Sequence, residues 1–471
     1  MKISQAVFVA LALTAVHAYA PDAMYQLPDC DPFEYNAYSG YLNVSDTKAL
    51  HYTFVESQGN PETDPILFWF NGGPGCSSLL GFFQEHGPFV IDDNETYIHS
   101  NPWSWNLEAN VAYIESPAGV GYSYAAGKDD RVQNDISQSL DAFAALQDFF
   151  TKYPQFLSND LYITGESYGG IYVPYLTFQI YEHNMLADVQ KNRQSYNLKG
   201  FMVGNGATDY IYDVSPSFPS VVGNFQLIPP TLLKTMNDNN CFFSFNEVLS
   251  EANDSALCNS TWDQINNLTG NLNWYDLYRP VYPSTLSAAQ AEERKYGEVE
   301  IGGEIKKYRL GYTMDEYTPW MKRLTQGKNT ITFGDYVTEY INRKDVRAAM
   351  NIPDSIQAWE QCAYNLDYRS QPEGSLWIYF LLQNKVRMLF YSGDTDGAVP
   401  TWGTRQWIET LGWKTTEEYR SWQISDQVSG YVQSYDGLDF VTIHGVGHMA
   451  PQWKRPDVTT MITNWIHQRP F

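Results

Sequence analysis

A serine between two glycines, placed directly after a short apolar run, constrains the fold of this chain more than any other feature. The segment is Leu-Tyr-Ile-Thr-Gly-Glu-Ser-Tyr-Gly-Gly at residues 161–170. It predicts a strand, a turn too tight for side chains at Gly165 and Gly169, and then a helix. Such a turn lifts the Ser167 hydroxyl above the sheet edge. The pattern alone also fits a structural glycine-rich turn, so the chain must supply an acid, a base and an oxyanion hole elsewhere.

Strands and helices alternate along most of the chain. Apolar runs predict buried strands at residues 65–70, 110–114, 161–164, 197–204, 385–391 and 438–443. Helices are predicted after Asn134 or Asp135, at residues 345–350 and at residues 457–467. The apolar residues near helical spacing in the first of these helices are Ile136, Leu140, Phe143, Ala144 and Phe150. The alternation predicts an α/β fold with a mostly parallel central sheet and helices on both faces.

The chain changes character between residues 207 and 330, where Asn, Tyr and Ser are frequent and buried-strand signals are few. We interpret this stretch as an inserted cap subdomain, helical with short hairpins, lying over the sheet edge. The predicted organisation is a signal peptide at 1–18, a first core half at 19–206, the insertion at 207–330 and a second core half at 331–471.

The N-terminus has the pattern of a secretory signal. Lys2 precedes an apolar run at residues 7–16, and small residues follow at Ala18 and Ala20. We favour cleavage after Ala18, because cleavage after Ala20 would place Pro21 just beyond the cut. Secretory routing permits disulfides and N-glycans. The predicted glycosylation sites are the five sequons at Asn43, Asn94, Asn253, Asn259 and Asn267.

Composition excludes several classes of partner. The net charge is −24, with 54 acidic and 30 basic residues, so nucleic acid is an unsuitable ligand. No run after the leader reaches about 18 apolar residues, so no membrane span is predicted. The sequence has no C-x-x-C pattern, and we expect neither a metal nor a cofactor.

Three loops that follow predicted strands contain the residues of a hydrolytic triad. They hold Ser167, then Asp394 and Asp396, then His448, which is the chain order of α/β-hydrolases. Catalytic groups of open parallel sheets lie at the carboxyl ends of strands, as these do. A serine hydroxyl needs a histidine to accept its proton and a carboxylate to orient that histidine. The oxyanion needs two N–H donors, for which Tyr168 and the loop at residues 71–73 are the candidates.

The chain resembles the serine carboxypeptidases of the carboxypeptidase Y and cathepsin A family. The matching segments are Asn-Gly-Gly-Pro-Gly-Cys-Ser-Ser at 71–78, Glu-Ser-Pro-Ala-Gly-Val-Gly-Tyr at 115–122, Gly-Glu-Ser-Tyr-Gly-Gly at 165–170, Ser-Gly-Asp-Thr-Asp-Gly at 392–397 and Gly-His-Met-Ala-Pro at 447–451. The resemblance extends from about residue 27 to the C-terminus and is weakest across 207–330. It implies the α/β-hydrolase fold.

The resemblance also implies roles for individual residues. Ser167 would be the nucleophile, His448 the base and Asp396 the acid, with Asp394 a structural neighbour. The implied oxyanion donors are Gly73 and Tyr168. The implied ligands of the substrate's terminal carboxylate are Asn71, Gly72, Glu85 and Glu166. A Cys76–Cys362 disulfide is implied too, and Cys241 and Cys258 would pair within the insertion, which leaves Cys30 unassigned.

These roles predict a serine-type carboxypeptidase acting on peptide or protein C-termini, as a monomer or homodimer, in a lysosome or vacuole or outside the cell. Two neighbouring carboxyl groups share a proton, so Glu85 and Glu166 predict activity at acidic pH. The alternatives are an acyltransferase, esterase or lipase of the same architecture, a protective binding partner, and an endopeptidase. Met449, beside His448, suggests an apolar surface for the leaving residue.

Overall fold

The structure is a computed structural model that describes residues 20–91, 97–190, 193–241, 255–270, 272–279, 296–309, 335–363 and 365–471. The predicted leader and the sequons at Asn94 and Asn253 lie outside the described residues, and the predicted insertion is described in part. No helix within the described ranges is both long and apolar enough to cross a membrane.

The secondary structure alternates as predicted. Within the described residues, the strands are β1 (Ala37–Asn43), β2 (Lys48–Val55), β3 (Ile66–Phe70), β4 (Phe89–Val90), β5 (His99–Ser100), β6 (Asn110–Ile114), β7 (Tyr124–Ala125), β8 (Val132–Asn134), β9 (Leu161–Glu166), β10 (Leu198–Gly204), β11 (Tyr296–Ile301), β12 (Glu304–Arg309), β13 (Asp367–Arg369), β14 (Arg387–Gly393), β15 (Thr415–Ile424), β16 (Gln427–Tyr435) and β17 (Leu438–Ile443). The α-helices are α1 (Asp135–Lys152), α2 (Gly169–Gln190), α3 (Phe218–Asn224), α4 (Pro230–Asp238), α5 (Ala256–Thr269), α6 (Asp335–Asn342), α7 (Lys344–Ala349), α8 (Leu376–Leu382), α9 (Thr401–Thr410), α10 (Ala450–Trp453) and α11 (Arg455–Ile466). A π-helical turn spans Gly81–Glu85.

The central sheet has the strand order β1-β2-β6-β3-β9-β10-β14-β17-β16-β15, and β7 pairs with β2. Neighbours from β6 through β17 run parallel. The outer pairs β1–β2, β2–β6, β16–β17 and β15–β16 are antiparallel. The predicted mostly parallel sheet is therefore confirmed, and its parallel part contains every strand whose exit loop was predicted to be catalytic.

The central strands are apolar throughout because both faces of the sheet are covered. Phe68 and Ile163 belong to one core, which includes residues of α1, α2, α8 and α9. Their chain neighbours Trp69 and Tyr162 belong to a second core with residues of α6, α7 and α11. Side chains of a strand alternate between faces, so each strand contributes to both cores.

Helix α1 begins as predicted. The Asn134 side chain caps it by accepting bonds from two backbone N–H groups. Two of the apolar residues at helical spacing, Ile136 and Leu140, are 50% and 49% exposed. The helix packs through a stripe containing Phe149, whose ring contacts Phe54 and Phe68. Helical spacing alone does not identify the buried face of α1, because the helix has apolar residues on more than one face.

The described cysteines form the two expected pairs. Cys76 pairs with Cys362 across 286 residues and joins the two core halves. Cys241 pairs with Cys258 and joins the end of α4 to α5. Cys30 is a buried free thiol, and burial raises its pKa to about 12.

The described part of the insertion has a small apolar core. It contains Phe218, Met236, Trp262 and Trp274, together with Ala398 from the loop after β14. Asn43, Asn259 and Asn267 are exposed, so these three asparagines are accessible to the predicted glycosylation.

Candidate active site

The turn between β9 and α2 holds Ser167 in a strained conformation. Its φ angle is +62°, in the left-handed region that residues other than glycine seldom adopt. The backbone around it is fixed, because Ser167 N donates to Gly204 O at 3.0 Å and Ser167 O accepts from Ala207 N at 3.0 Å. The serine is therefore presented on a rigid turn at the carboxyl edge of the sheet.

Close packing explains the glycines of this turn. A side chain at Gly165 would place Cβ 2.6 Å from Phe70 O, and one at Gly170 would place it 2.1 Å from Ala207 O. A Cβ at Gly169 would lie 3.1 Å from Phe70 O, which is a close contact but less restrictive than the other two. Gly165 and Gly170 are thus the two positions where the turn most strictly excludes a side chain.

Asp396 is buried in the loop after β14 and accepts four hydrogen bonds. Its Oδ2 lies 2.6 Å from His448 Nδ1 and 2.9 Å from Asn205 Nδ2. Its Oδ1 accepts from the backbone N–H groups of Ala398 and Val399 at 2.7 and 3.1 Å. The carboxylate can therefore hold one orientation of the imidazole and stabilise its positive charge.

Asp394, two residues earlier, faces a different histidine. Its Oδ2 lies 2.8 Å from His444 Nδ1, and its Oδ1 accepts from Gly445 N at 2.7 Å. Both of those partners are exposed. This geometry favours Asp396 over Asp394 as the acid.

His448 follows β17 and is almost completely buried. Its Nε2 has no hydrogen-bond partner among the described residues. Ser167 Oγ is not hydrogen-bonded to it, although the two side chains line the same cavities. Nucleophile–base contacts are often long in ligand-free enzymes and shorten in the substrate complex.

Glu85 and Glu166 are both buried and line the same cavity as Ser167. Glu85 ends the π-helical turn, and its Oε1 accepts from Asn71 Nδ2 at 2.8 Å. The Arg455 guanidinium fixes this turn by donating to the carbonyl oxygens of Glu85 and Gln84 at 3.0 and 2.7 Å. Glu166 is the last residue of β9, directly before the serine.

The surroundings raise the pKa of both carboxyl groups. Burial raises the pKa of Glu85, and the Asn71 hydrogen bond opposes that shift only in part. Burial, followed by the charge of Glu85, raises the pKa of Glu166 well above its ordinary value. The Oε2 atom of each has no hydrogen-bond partner among the described residues. Protonated, either group can donate a hydrogen bond into the cavity.

The loop at residues 72–73 lies directly against the serine turn. A Cβ on Gly72 would be 2.3 Å from Tyr168 N. Gly73, Ser167 and Tyr168 line one cavity, and the Gly73 and Tyr168 amides donate no hydrogen bond in the described structure. The Tyr172 hydroxyl accepts from Gly75 N at 3.2 Å and fixes this loop. Two N–H groups are thus available beside the serine for an oxyanion.

Two cavities with otherwise different linings both contain Ser167 and His448 in their walls. The first contains the buried carboxyl groups and the side chains of Leu80, Gln84, Gln361, Met449 and Gln452. The second is lined mainly by Ala207, Tyr210, Val214, Tyr275, Ala398 and Val399. Met449 lines the first cavity, where three glutamines are also lining residues.

Sequence reasoning missed several residues that support the site. Asn205 bonds Asp396, Tyr172 fixes the oxyanion loop, and Arg455 fixes the turn of Glu85. Only Asn205 had a usable signal, because it lies in the glycine-rich exit of β10. Arg455 contacts residues about 370 positions away, a pairing that local patterns do not reveal.

Asp213, next to the lining residue Val214, is a buried carboxyl group outside the triad. Its Oδ2 accepts from the N–H groups of Thr208 and Asp209 at 2.7 and 3.0 Å. Its Oδ1 has no partner among the described residues. Burial raises the pKa of Asp213 from 3.8 to about 8, because it outweighs these two bonds.

This shift predicts pH-dependent stability. Because the folded-state pKa is raised, the contribution of Asp213 is fully present below pH 3.8 and is lost as the pH rises towards 8. Between pH 5 and pH 8, we expect the unfolding free energy of Asp213→Asn to fall by about 3–4 kcal/mol less than that of the unsubstituted protein. Denaturant unfolding at both pH values measures the difference. Asp188→Asn, at an exposed position on α2, is the control and should not change it. Equal losses in all three proteins would contradict the prediction.

Comparisons with known proteins show the family of the chain. The family model described as serine carboxypeptidase matches residues 28–468. The chain is 33% identical to the lysosomal protective protein of Mus musculus over 455 residues, which cover 93% of this chain and 91% of the relative. It is 33% identical to serine carboxypeptidase-like 20 of Arabidopsis thaliana over 443 residues, covering 88% of this chain and 87% of the relative.

A solved structure supports the fold. The Kex1 prohormone-processing carboxypeptidase of Saccharomyces cerevisiae superposes with a TM-score of 0.70 at 20% identity, covering 96% of this chain and 95% of the other. The predicted α/β-hydrolase architecture is therefore confirmed.

Proposed function

Because the chain belongs to the serine carboxypeptidase family, we propose that it releases single residues from the C-termini of peptides and proteins at acidic pH through an acyl-enzyme. One observation carries this proposal: two buried carboxyl groups, Glu85 and Glu166, line the same cavity as Ser167 and His448. A terminal carboxylate held by these groups beside the serine would bring the last peptide bond of the substrate to Ser167.

The substrate's terminal carboxylate would bind beside these two glutamates. Protonated Glu85 or Glu166 donates a hydrogen bond to it, and the Asn71 side chain and Gly72 backbone contribute further contacts. Once both glutamates are ionised, they repel the substrate carboxylate. Burial is the main cause of the raised pKa of each carboxyl group. These raised pKa values support activity at acidic pH.

The triad then carries out acyl transfer. Ser167 Oγ attacks the scissile carbonyl while His448 Nε2 accepts its proton, and Asp396 stabilises the imidazolium. The Gly73 and Tyr168 N–H groups bind the oxyanion. His448 gives the proton to the leaving amine, and the C-terminal residue departs. Water, activated by the same histidine, hydrolyses the ester and restores Ser167.

The two cavities would select the residues on either side of the bond. The apolar cavity with Tyr210, Val214 and Tyr275 suits an apolar or aromatic residue on the acyl side. The glutamine-containing cavity receives the leaving residue. Together they support peptides as substrates rather than lipid esters.

The compartment forms part of the proposal. The apolar leader pattern at residues 1–18, the sequons and the paired cysteines support passage through the secretory pathway. We propose a lysosome or vacuole, or the extracellular space, as the destination, where an acid-working peptidase meets peptide C-termini.

A matched pair of substrates tests the proposal. At pH 5, we expect kcat/KM for a blocked dipeptide with a free C-terminus to exceed that for its C-terminal amide by at least about tenfold, because the amide lacks the group the glutamates bind. Digestion of longer peptides, followed by mass spectrometry, should give stepwise C-terminal ladders. Labelling by a fluorophosphonate probe verifies that the enzyme is active in both assays. Internal cleavage, or turnover of esters with no peptide hydrolysis, would contradict the proposal.

A further inference from the structure

One short segment of the insertion touches both loops that carry the acid and the base. We call residues 273–279 the bridging segment. On one side it contacts the loop at 394–397, which contains Asp396. On the other it contacts the loop at 446–448, which contains His448. Residues 280–295, which follow it, lie outside the described structure.

The Asp276 side chain of the bridging segment forms hydrogen bonds to both loops. Its Oδ1 accepts from Thr395 Oγ1 at 2.8 Å, on the acid loop. Its Oδ2 accepts from Gly447 N at 3.2 Å, on the base loop. Asp276 is buried, and Arg279 Nε lies 3.2 Å from its Oδ2. One carboxylate thus joins the residue before Asp396 to the residue before His448.

Backbone bonds of the bridging segment reinforce both contacts. Tyr275 O accepts from His448 N at 2.6 Å. Thr395 O accepts from Leu277 N at 3.0 Å, and Gly397 N donates to Trp274 O at 2.9 Å. The Tyr275 ring also packs against the His448 ring, with centroids 5.0 Å apart. The bridging segment therefore flanks Asp396 and binds the backbone of His448.

We propose that Asp276 is a positioning residue of the triad, which fixes the acid loop against the base loop through Thr395 and Gly447 and so sets the Asp396–His448 contact. This inference rests on the proposed function. Hydrogen-bond geometry at a catalytic base is sensitive to displacements well below 1 Å, so a loosened loop lowers the rate of the chemical step more than it weakens substrate binding. A purely structural role would instead lower the yield of folded enzyme and leave its turnover unchanged.

Thr395 gives the sharpest test, because its hydroxyl can be removed without changing the acid or the base. We expect Thr395→Val to lower kcat per titrated active site about tenfold, with KM for a blocked dipeptide within about twofold. Thr395→Ser keeps the hydroxyl and should recover kcat to within about threefold of the unsubstituted enzyme. Thr177→Val is the matched control, because it removes a buried threonine hydroxyl that donates to a carbonyl within α2. Its kcat should be unchanged.

Asp276→Asn provides a second variant, measured with its thermal unfolding midpoint. We expect a fall in kcat that exceeds any fall in the titrated active fraction. Unchanged kcat per active site in both Thr395→Val and Asp276→Asn would overturn the inference. So would a rise in KM at constant kcat, or an equal loss of kcat in Thr177→Val.

The rate of Ser167 modification by a fluorophosphonate separates this inference from the proposed function. That reaction needs the triad but no carboxyl-terminal substrate. If the unsubstituted protein reacts with the probe but cleaves no peptide, the proposed function fails. The slower modification expected of Thr395→Val, relative to Thr395→Ser, still supports the positioning role, and equal rates would overturn it. A protein that does not react with the probe would overturn both.

Discussion

Replacing Ser167 with alanine should lower kcat for a blocked dipeptide at pH 5 by about 10⁵-fold. The acyl-enzyme cannot form without the hydroxyl, and only substrate binding and oxyanion stabilisation remain. Substrate binding should persist, because the groups proposed to hold the carboxylate are untouched. Steady-state kinetics measure the loss of kcat, and calorimetric titration of the Ser167→Ala variant with the blocked dipeptide measures its binding. A loss of less than about 100-fold would contradict the assignment of the nucleophile.

The same assay distinguishes the two aspartates of the acid loop. We expect Asp396→Asn to lower kcat by about 10³- to 10⁴-fold, because the amide no longer stabilises the imidazolium at His448 Nδ1. Asp394→Asn is its matched control, two residues away on the same loop. It should cost less than about tenfold, because Asp394 bonds His444 and Gly445 instead. The reverse order would show that Asp394 is the acid.

Replacing both Glu85 and Glu166 with glutamine should remove the alkaline decline in peptidase kcat/KM. Burial raises the pKa of both groups, so rising pH deprotonates them and substrate binding falls in the unsubstituted enzyme. Glutamine amides donate hydrogen bonds at every pH, so the variant should keep its remaining activity as the pH rises from 5 to 8. The ratio of kcat/KM at pH 5 to kcat/KM at pH 8 should be at least about tenfold smaller in the double variant than in the unsubstituted enzyme.

The charged groups near this pair make the control important. His448, Arg455 and Asp396 all act electrostatically on one or the other glutamate. Glu56→Gln is the matched control, since Glu56 is another buried glutamate with a raised pKa, bonded to Tyr38 and Asn36. It should leave the pH profile unchanged. If the double variant still declines with pH as the unsubstituted enzyme does, a different group controls the alkaline side.

The sequence was most informative where the chemistry depends on local backbone geometry. The serine turn needs glycines next to it, and those glycines are visible in ten consecutive residues. The apolar runs predicted the central strands because a sheet covered on both faces tolerates few polar residues. Ser167, Asp396 and His448 each lie within five residues of the end of one of these strands, so chain order alone predicts that they lie at the same edge of the sheet.

Other features depended on contacts that no local pattern encodes. Asp394 and Asp396 are each flanked by Thr395 and a glycine, so the local sequence does not distinguish them. The prediction that Asp396 is the acid came from the family resemblance alone. Asp276 bonds residues 119 and 171 positions away, from within a stretch of weak patterning. Helical spacing did not identify the buried face of α1. Periodicity shows that a helix is amphipathic, but it does not show which of two apolar stripes packs against the sheet.

The Cys76–Cys362 bond has a consequence for where the enzyme can work. Cys76 lies three residues after Gly73 and lines the cavity beside Ser167 together with Gln361, the neighbour of its partner. Thiols of the cytosol are kept reduced, so a copy retained there would not form this cross-link. The loop at residues 71–78 would then lack its covalent tie to the second half of the core. The bond therefore limits the cross-linked cavity to copies that fold in an oxidising compartment.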